Sequence, residues 1–207
     1  MDAKICGIKD IKTLSHIINH QYPPKYIGFI TNYPKSKRYI ELENLIKLLS
    51  VDKKNINFVS VLVNPNDQIL EKINDLNFDY YQLYDVSPER TEKIKKQSNK
   101  KIISAITIEN LHDVESYKNF QSIADIILFD SKGYEKSVGF DHKLLNNVPS
   151  SITKMLAGNI QYDDKLDKFS KIADIIDISG SLETSGEKDI SKINIFLKNI
   201  NKLNNES

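Results

Sequence analysis

Short apolar runs rich in β-branched residues alternate along this chain with longer amphipathic or polar stretches. Short apolar runs predict buried β-strands, whereas apolar residues recurring every three or four positions predict helices. The predicted strands cover residues 3–6, 26–31, 57–63, 80–83, 101–106, 125–129, 154–156 and 175–178. The predicted helices cover residues 11–19, 41–49, 66–75, 88–97, 110–118, 141–147, 165–170 and 189–201. The chain is therefore expected to alternate strand and helix eight times.

This strict alternation predicts parallel strand pairing, because each right-handed crossover uses a helix to return the chain. Eight such units close naturally into a single (β/α)8 TIM barrel, which at 207 residues would be a compact one. The alternative is an open doubly wound sheet, which would carry a glycine-rich dinucleotide loop after its first strand. That turn reads CGIKDIK and lacks the G-x-G-x-x-G pattern, so the α/β barrel is favoured.

Composition and charge exclude several classes of protein but do not identify a reaction. Residues 1–207 show no break in composition and are expected to form one domain, with a frayed tail at about 204–207. Twenty-nine basic and 28 acidic residues give a net charge of +1, which argues against nucleic acid or anionic lipid as a partner. One cysteine and four scattered histidines argue against an internal disulfide and a structural metal site. With no long apolar run, the sequence predicts a cytoplasmic protein outside the membrane, either a monomer or a homodimer.

Two residues at predicted strand ends could carry acid–base chemistry, because barrel active sites lie at the C-terminal ends of the strands. Cys6 closes the first strand on the same face as Lys4, and Asp130 closes the sixth strand. A thiol whose pKa is lowered by a cation and a carboxyl whose pKa is raised by burial can act as base and acid. The residues alone leave open that Cys6 is a buried structural side chain and that Asp130 caps its loop.

Three loops at the same predicted end could bind anions. Small residues follow strands seven and eight, in Gly158-Asn159 and Ser179-Gly180-Ser181. In this fold these two loops often bind phosphate through backbone N–H groups, although such residues are also common in any turn. A basic loop after strand two carries Arg38, which suits bidentate binding of a carboxylate or phosphate but also fits a solvated segment.

Longer motifs give a more specific signal. In order, they read KICGI, GFITNYPKSKRYI, FVSVLVNP, YYQLYD, ILFDS, FDHKLL, LAGNI, and IDISGSLE followed by GEKD. Together they resemble the phosphoribosylanthranilate isomerase family of tryptophan biosynthesis, whose corresponding segments include KICG, GF-x-x-YPKS-x-RYI, VQLHG, FDW, LAGG and VDVSSGVE. The resemblance extends over essentially the whole chain.

The resemblance implies a cofactor-free and metal-free isomerase acting on a small phosphosugar. The reaction is the Amadori rearrangement of N-(5-phosphoribosyl)anthranilate to 1-(2-carboxyphenylamino)-1-deoxyribulose 5-phosphate. Cys6 would be the general base, Asp130 the general acid and Arg38 the contact to the anthranilate carboxylate. Further substrate contacts are implied at Gln82, Gly158, Asn159, Asp177, Ser179, Gly180 and Ser181.

The chain departs from the family pattern in four places. The glycine-rich loop before FDW has lost most of its glycine at residues 135–139, and Asn159 replaces a glycine. The histidine and glycine of QLHG are Tyr84 and Asp85, and the glycine after strand eight is shifted to Gly180. Two alternatives therefore stay open: another phosphosugar isomerase or epimerase on the same barrel, or a barrel that binds a phosphate compound without turnover.

Overall fold

Eight parallel strands pair in chain order in a computed structural model, which describes residues 1–132 and 139–206. The last strand pairs with the first, so the sheet closes into a barrel, and the (β/α)8 prediction is confirmed. The strands are β1 (Asp2–Cys6), β2 (Tyr26–Ile30), β3 (Asn57–Val63), β4 (Tyr80–Tyr84), β5 (Lys101–Ile108), β6 (Ile126–Ser131), β7 (Lys154–Leu156) and β8 (Ile175–Ile178).

Helices follow the strands around the outside of the barrel. They are α1 (Ile11–Ile18), α2 (Leu42–Leu49), α3 (Asp67–Ile73), α4 (Pro88–Ser98), α5 (Leu111–Glu115) and α6 (Ile190–Glu206). After β6 and β7 the predicted α-helices are instead 3₁₀ segments, His142–Asn147 and Leu166–Lys168. Pro149 stops the first of them from extending, because proline lacks the backbone N–H that a longer helix would use.

Strand side chains alternate between the barrel interior and the surrounding helices, as the period of two requires. Ile127 and Phe129 belong to the core that contains the buried helix side chains. Ile126 and Leu128 instead pack inside the barrel with Met155. Asp130 lies two residues after Leu128, so this alternation directs its side chain towards the barrel interior at the C-terminal end of β6.

A small antiparallel hairpin, which the hydrophobic pattern does not predict, follows β8. Its strands are β9 (Glu183–Thr184) and β10 (Glu187–Lys188). The two residues between them, Ser185 and Gly186, both have positive φ, 53° and 84°, as a two-residue hairpin turn prefers. The hairpin holds Glu183 opposite Lys188 at the C-terminal end of the barrel.

The C-terminal helix includes residues 204–206, which the sequence analysis expected to belong to a frayed tail. Helix α6 continues through Glu206, so residues 204–206 are helical, and Ser207 lies outside the described residues. The Asn204 side chain accepts a hydrogen bond from the Met1 amino group at 2.7 Å and donates one to the Met1 carbonyl oxygen at 2.9 Å. These contacts fasten the end of the helix beside β1. Across residues 1–132 and 139–206, no helix is both long and apolar enough to span a membrane.

Packing between β6 and the helices predicts that the stability of the protein depends strongly on Phe129. This side chain is completely buried there. Phe129→Ala is expected to lower the free energy of unfolding by about 3–5 kcal/mol, because it removes buried apolar surface and leaves a cavity. Ile195→Ala on the exposed face of α6 is the matched control, with a change of about 0.5 kcal/mol or less. Urea denaturation measures both values, and equal losses would contradict this packing.

Candidate active site

A cavity of about 510 Å³ opens at the C-terminal ends of the strands. All ten residues that the sequence analysis assigned to a site lie in its wall. They are Cys6, Arg38, Gln82, Asp130, Gly158, Asn159, Asp177, Ser179, Gly180 and Ser181. The cavity therefore brings the candidate acid, the candidate base and both small-residue loops to one place.

The base of the cavity holds a buried ion pair beside the thiol. Lys4 is completely buried, and its Nζ lies 2.7 Å from Asp177 Oδ2 on β8. Gly28 on β2 leaves room for Lys4 and Cys6: a Cβ there would lie 2.7 Å from Cys6 Sγ and 3.1 Å from Lys4 Nζ. The Cys6 thiol and the Lys4 ammonium group therefore both lie beside Gly28 on the neighbouring strand β2.

The surroundings of Cys6 shift its pKa upward, whereas a thiol base would be favoured by a lowered pKa. Burial raises the pKa of the Cys6 thiol above its ordinary value, and the positive charge of Lys4 opposes this rise without cancelling it. Burial alone would lower the pKa of Lys4, but the charge of Asp177, its hydrogen bond with Lys4 and the interaction with Cys6 together outweigh burial and raise that pKa. Lys4 therefore stays a cation, and in the free protein Cys6 is mainly a thiol.

Asp130 is a carboxyl that titrates unusually close to neutrality. Burial raises the pKa of Asp130 to about 6. The Tyr84 hydroxyl donates a hydrogen bond to Oδ2, and the Ser131 backbone N–H donates one to Oδ1, each at 2.8 Å. Both bonds favour the charged form and limit the rise. Such a group can hold a proton for transfer at a pH near its pKa.

Tyr84 joins a chain of polar groups that runs from Gln82 on β4 to Asp130 on β6. The Gln82 side-chain amide donates a hydrogen bond to the Tyr84 oxygen at 3.2 Å, and Tyr84 in turn donates to Asp130. Sequence reasoning noted Tyr84 only as a departure, because its contact with β6 depends on barrel closure.

Several buried polar atoms in the cavity wall have no partner among the described residues. These atoms are Gln82 Oε1, Asp177 Oδ1 and Ser181 Oγ. Buried polar atoms are normally hydrogen-bonded, so these three atoms are available to a polar ligand or to water that enters the cavity.

The two small-residue loops provide backbone donors. In residues 1–132 and 139–206, no hydrogen bond is donated by the backbone N–H of Gly158, Asn159 or Gly180. Gly158 has φ of 93°, and a Cβ there would lie 2.7 Å from the Ser131 side chain, so only glycine fits. Asn159 adopts φ of 53°, a conformation that asparagine tolerates better than most residues. Of the altered loop at residues 135–139, only Gly139 is described, and it lies beside Asn159.

Arg38 reaches the cavity but is already paired. Its guanidinium donates to both carboxylate oxygens of Glu183, from Nε at 2.5 Å and from Nη2 at 2.9 Å. Gly7 makes this position possible: its φ is 77°, and a Cβ there would lie 2.5 Å from Arg38 Cδ. Sequence reasoning missed Glu183 and Lys188, although both lie within the closing motifs IDISGSLE and GEKD.

A closed barrel with a cavity at the C-terminal ends of its strands has the architecture of (β/α)8 enzymes. The family model described as N-(5'phosphoribosyl)anthranilate (PRA) isomerase matches residues 3–199. The chain belongs to this isomerase family, as its motifs suggested.

Individual relatives agree with the family assignment. The N-(5'-phosphoribosyl)anthranilate isomerase of Agrobacterium fabrum is 31% identical over 211 residues, covering 97% of this chain and 94% of the relative. The isomerase structure from Thermotoga maritima superposes with a TM-score of 0.86 at 25% identity, covering 98% and 99% of the two chains. A further isomerase structure was solved with reduced 1-(o-carboxyphenylamino)-1-deoxyribulose 5-phosphate; it has a TM-score of 0.84, 25% identity and the same coverage.

The hydrogen bond from Tyr84 predicts a measurable pKa shift. Tyr84→Phe is expected to raise the pKa of Asp130 further above about 6, because it removes a donor that stabilises the carboxylate. NMR titration of the carboxyl carbons measures the shift, with Asp130→Asn identifying the signal. Tyr80→Phe is the matched control, since Tyr80 lies inside the barrel on the same strand against Tyr26. An unchanged or lower pKa in Tyr84→Phe would contradict the assignment.

Proposed function

We propose that this chain catalyses the Amadori rearrangement of N-(5-phosphoribosyl)anthranilate in tryptophan biosynthesis, with Asp130 as general acid and Cys6 as general base. One observation carries the residue assignment: both groups face the same cavity, beside two loops with unpaired backbone donors. Family membership supplies the reaction, and the cavity supplies the groups that it needs.

Asp130 performs the first proton transfer in this proposal. Its carboxyl protonates the furanose ring oxygen, the bond from C1′ to that oxygen breaks, and the nitrogen lone pair forms a C=N double bond. Burial supports this role because it raises the pKa of Asp130 to about 6 and so keeps a proton available near neutral pH.

Cys6 performs the second transfer. Its thiolate removes the proton from C2′, the electrons of that C–H bond form the C1′=C2′ bond, and the π electrons of the C=N bond return to the nitrogen. The resulting enolamine tautomerises to the ketone. Because burial raises the pKa of Cys6, the reactive combination of thiolate and neutral carboxyl is a minor protonation state. Lys4 increases the population of this reactive state, because its positive charge stabilises the Cys6 thiolate.

The remaining residues bind the substrate. The backbone N–H groups of Gly158, Asn159 and Gly180, together with the Ser181 hydroxyl, hold the phosphate. Gln82 and Asp177 present unpartnered oxygens that accept hydrogen bonds from the sugar hydroxyls. Ser179 keeps its loop against β1 by donating a hydrogen bond from its hydroxyl to the Cys6 carbonyl oxygen at 2.9 Å.

A cytoplasmic location fits this chemistry. The proposed base is the sole cysteine of the chain and must remain a thiol, which a reducing compartment preserves.

The proposal is tested by following anthranilate fluorescence as freshly generated phosphoribosylanthranilate is consumed. Wild-type protein is expected to turn the substrate over, while Cys6→Ser and Asp130→Asn each lose about 10²–10⁴-fold in rate, the usual contribution of a positioned acid or base. Asp125→Asn is the matched control and should keep its activity, because Asp125 lies at the opposite end of β6 and pairs with Lys95.

Each other outcome of this assay has a distinct meaning. Turnover that persists in both variants would keep the reaction but contradict the acid and base assignments. No turnover by folded wild-type protein would contradict the proposed reaction and favour another phosphosugar substrate or a binding role.

A further inference from the structure

Only one edge of the Arg38 guanidinium is occupied. Its bidentate contact with Glu183 uses Nε and one hydrogen of Nη2, which are two of the five N–H groups that a guanidinium carries. The other three, on Nη1 and Nη2, have no acceptor in residues 1–132 and 139–206. Nη2 lies close to Gly180 in the cavity wall, 3.1 Å from the position of an added Cβ. Arg38 is therefore held from one side and keeps donors for a second anion.

Glu183 is itself fixed by a buried cation. Lys188 lies directly opposite Glu183 in the β9–β10 hairpin, and its side chain is only 3% exposed. Lys188 Nζ contacts Glu183 Oε1 at 2.8 Å, the Ser179 carbonyl oxygen at 3.0 Å and Ser179 Oγ at 3.3 Å. Three acceptors match the three protons of an ammonium group. The Glu183 carboxylate consequently has little freedom to move away from Arg38.

The charges of this cluster favour a carboxylate ligand. Arg38 and Glu183 together are formally neutral, so Glu183 offsets part of the attraction that Arg38 exerts on an incoming carboxylate. Lys188 adds a third charge, so the cluster of Arg38, Glu183 and Lys188 has a formal charge of +1. A planar guanidinium can bind one carboxylate on each of two edges, which a lysine at this position could not do.

We infer that Glu183 is a positioning residue for substrate specificity: it holds Arg38 so that the free Nη1–Nη2 edge binds the aromatic carboxylate of the substrate. Lys188 provides the counter-charge that makes a second carboxylate acceptable. This inference rests on the proposed function, because that function supplies the carboxylate. It assigns to the hairpin a task in recognising the anthranilate ring rather than in proton transfer.

The test compares two ligands that differ only in the carboxylate. Reduced 1-(o-carboxyphenylamino)-1-deoxyribulose 5-phosphate and its counterpart without the carboxyl group are titrated calorimetrically into wild-type protein and Glu183→Gln. We expect Glu183→Gln to weaken binding of the carboxylate ligand about tenfold, because Arg38 loses its fixed orientation. The ligand without the carboxylate should bind equally well to both proteins.

Glu187→Gln is the matched control for this experiment. Glu187 lies on the same hairpin, but its carboxylate is exposed and pairs with Lys9 at 3.0 Å. Its substitution should change neither affinity. Glu183→Asp keeps the charge but shortens the side chain, so its carboxylate-specific loss should be smaller than that of Glu183→Gln. This second variant also tests the inference if Glu183→Gln does not fold.

Two binding results would overturn the inference. Tighter binding of the carboxylate ligand to Glu183→Gln would mean that Glu183 competes with the substrate for Arg38. Equal weakening of both ligands would mean that Glu183 only maintains the shape of the loop. Failure of the proposed function is separately visible, since it would appear as absent turnover in wild-type protein whatever the two affinities are.

Kinetics provide an independent readout of the same idea. Glu183→Gln should raise KM for phosphoribosylanthranilate with a smaller change in kcat, because neither Cys6 nor Asp130 is altered. A loss confined to kcat would contradict a role in binding the carboxylate.

Discussion

The ion pair between Lys4 and Asp177 is the interaction on which both the fold and the chemistry of this barrel depend. The two residues lie opposite each other in the pairing of β1 with β8, where the sheet closes. Both are buried, and breaking such a pair by removing one partner costs about 3–5 kcal/mol, because the other charge stays unpaired. The same pair fixes a cation beside Cys6, so closing the barrel also builds the electrostatic environment of the thiol.

Burial raises the pKa of both candidate catalytic groups, which helps the proposed acid and hinders the proposed base. It raises the pKa of Asp130 to about 6, which suits an acid that must carry a proton. It also raises the pKa of Cys6, which works against a base that must lose one. The fold offsets the second effect with Lys4, while Tyr84 and the Ser131 backbone N–H limit the first. Neighbouring groups therefore adjust the pKa of the proposed acid and that of the proposed base separately within one cavity.

The pattern of apolar residues along the sequence was sufficient to predict the strands and to place Cys6 and Asp130 at the cavity. Strand alternation and barrel topology together determine which side chains face that cavity. It could not predict contacts between distant segments. Arg38 and Glu183 are 145 residues apart, and the two-residue strands that hold Glu183 are too short to show any periodicity. The Met1–Asn204 contact near the end of α6 joins residues that are 203 positions apart. The raised pKa of Cys6 likewise depends on burial, which only the closed barrel creates.

The most direct test of this account is the pH titration of Cys6, whose thiolate absorbs in the ultraviolet and is the only cysteine signal in the protein. The wild-type pKa should lie above that of an ordinary thiol, and Lys4→Met should raise it further, because the variant removes the charge that opposes the rise. Lys25→Met, at the opposite end of the barrel beside Asp2, is the matched control and should leave the titration unchanged. An unaltered or lower pKa in folded Lys4→Met would contradict the claim that the Lys4–Asp177 pair controls the thiol.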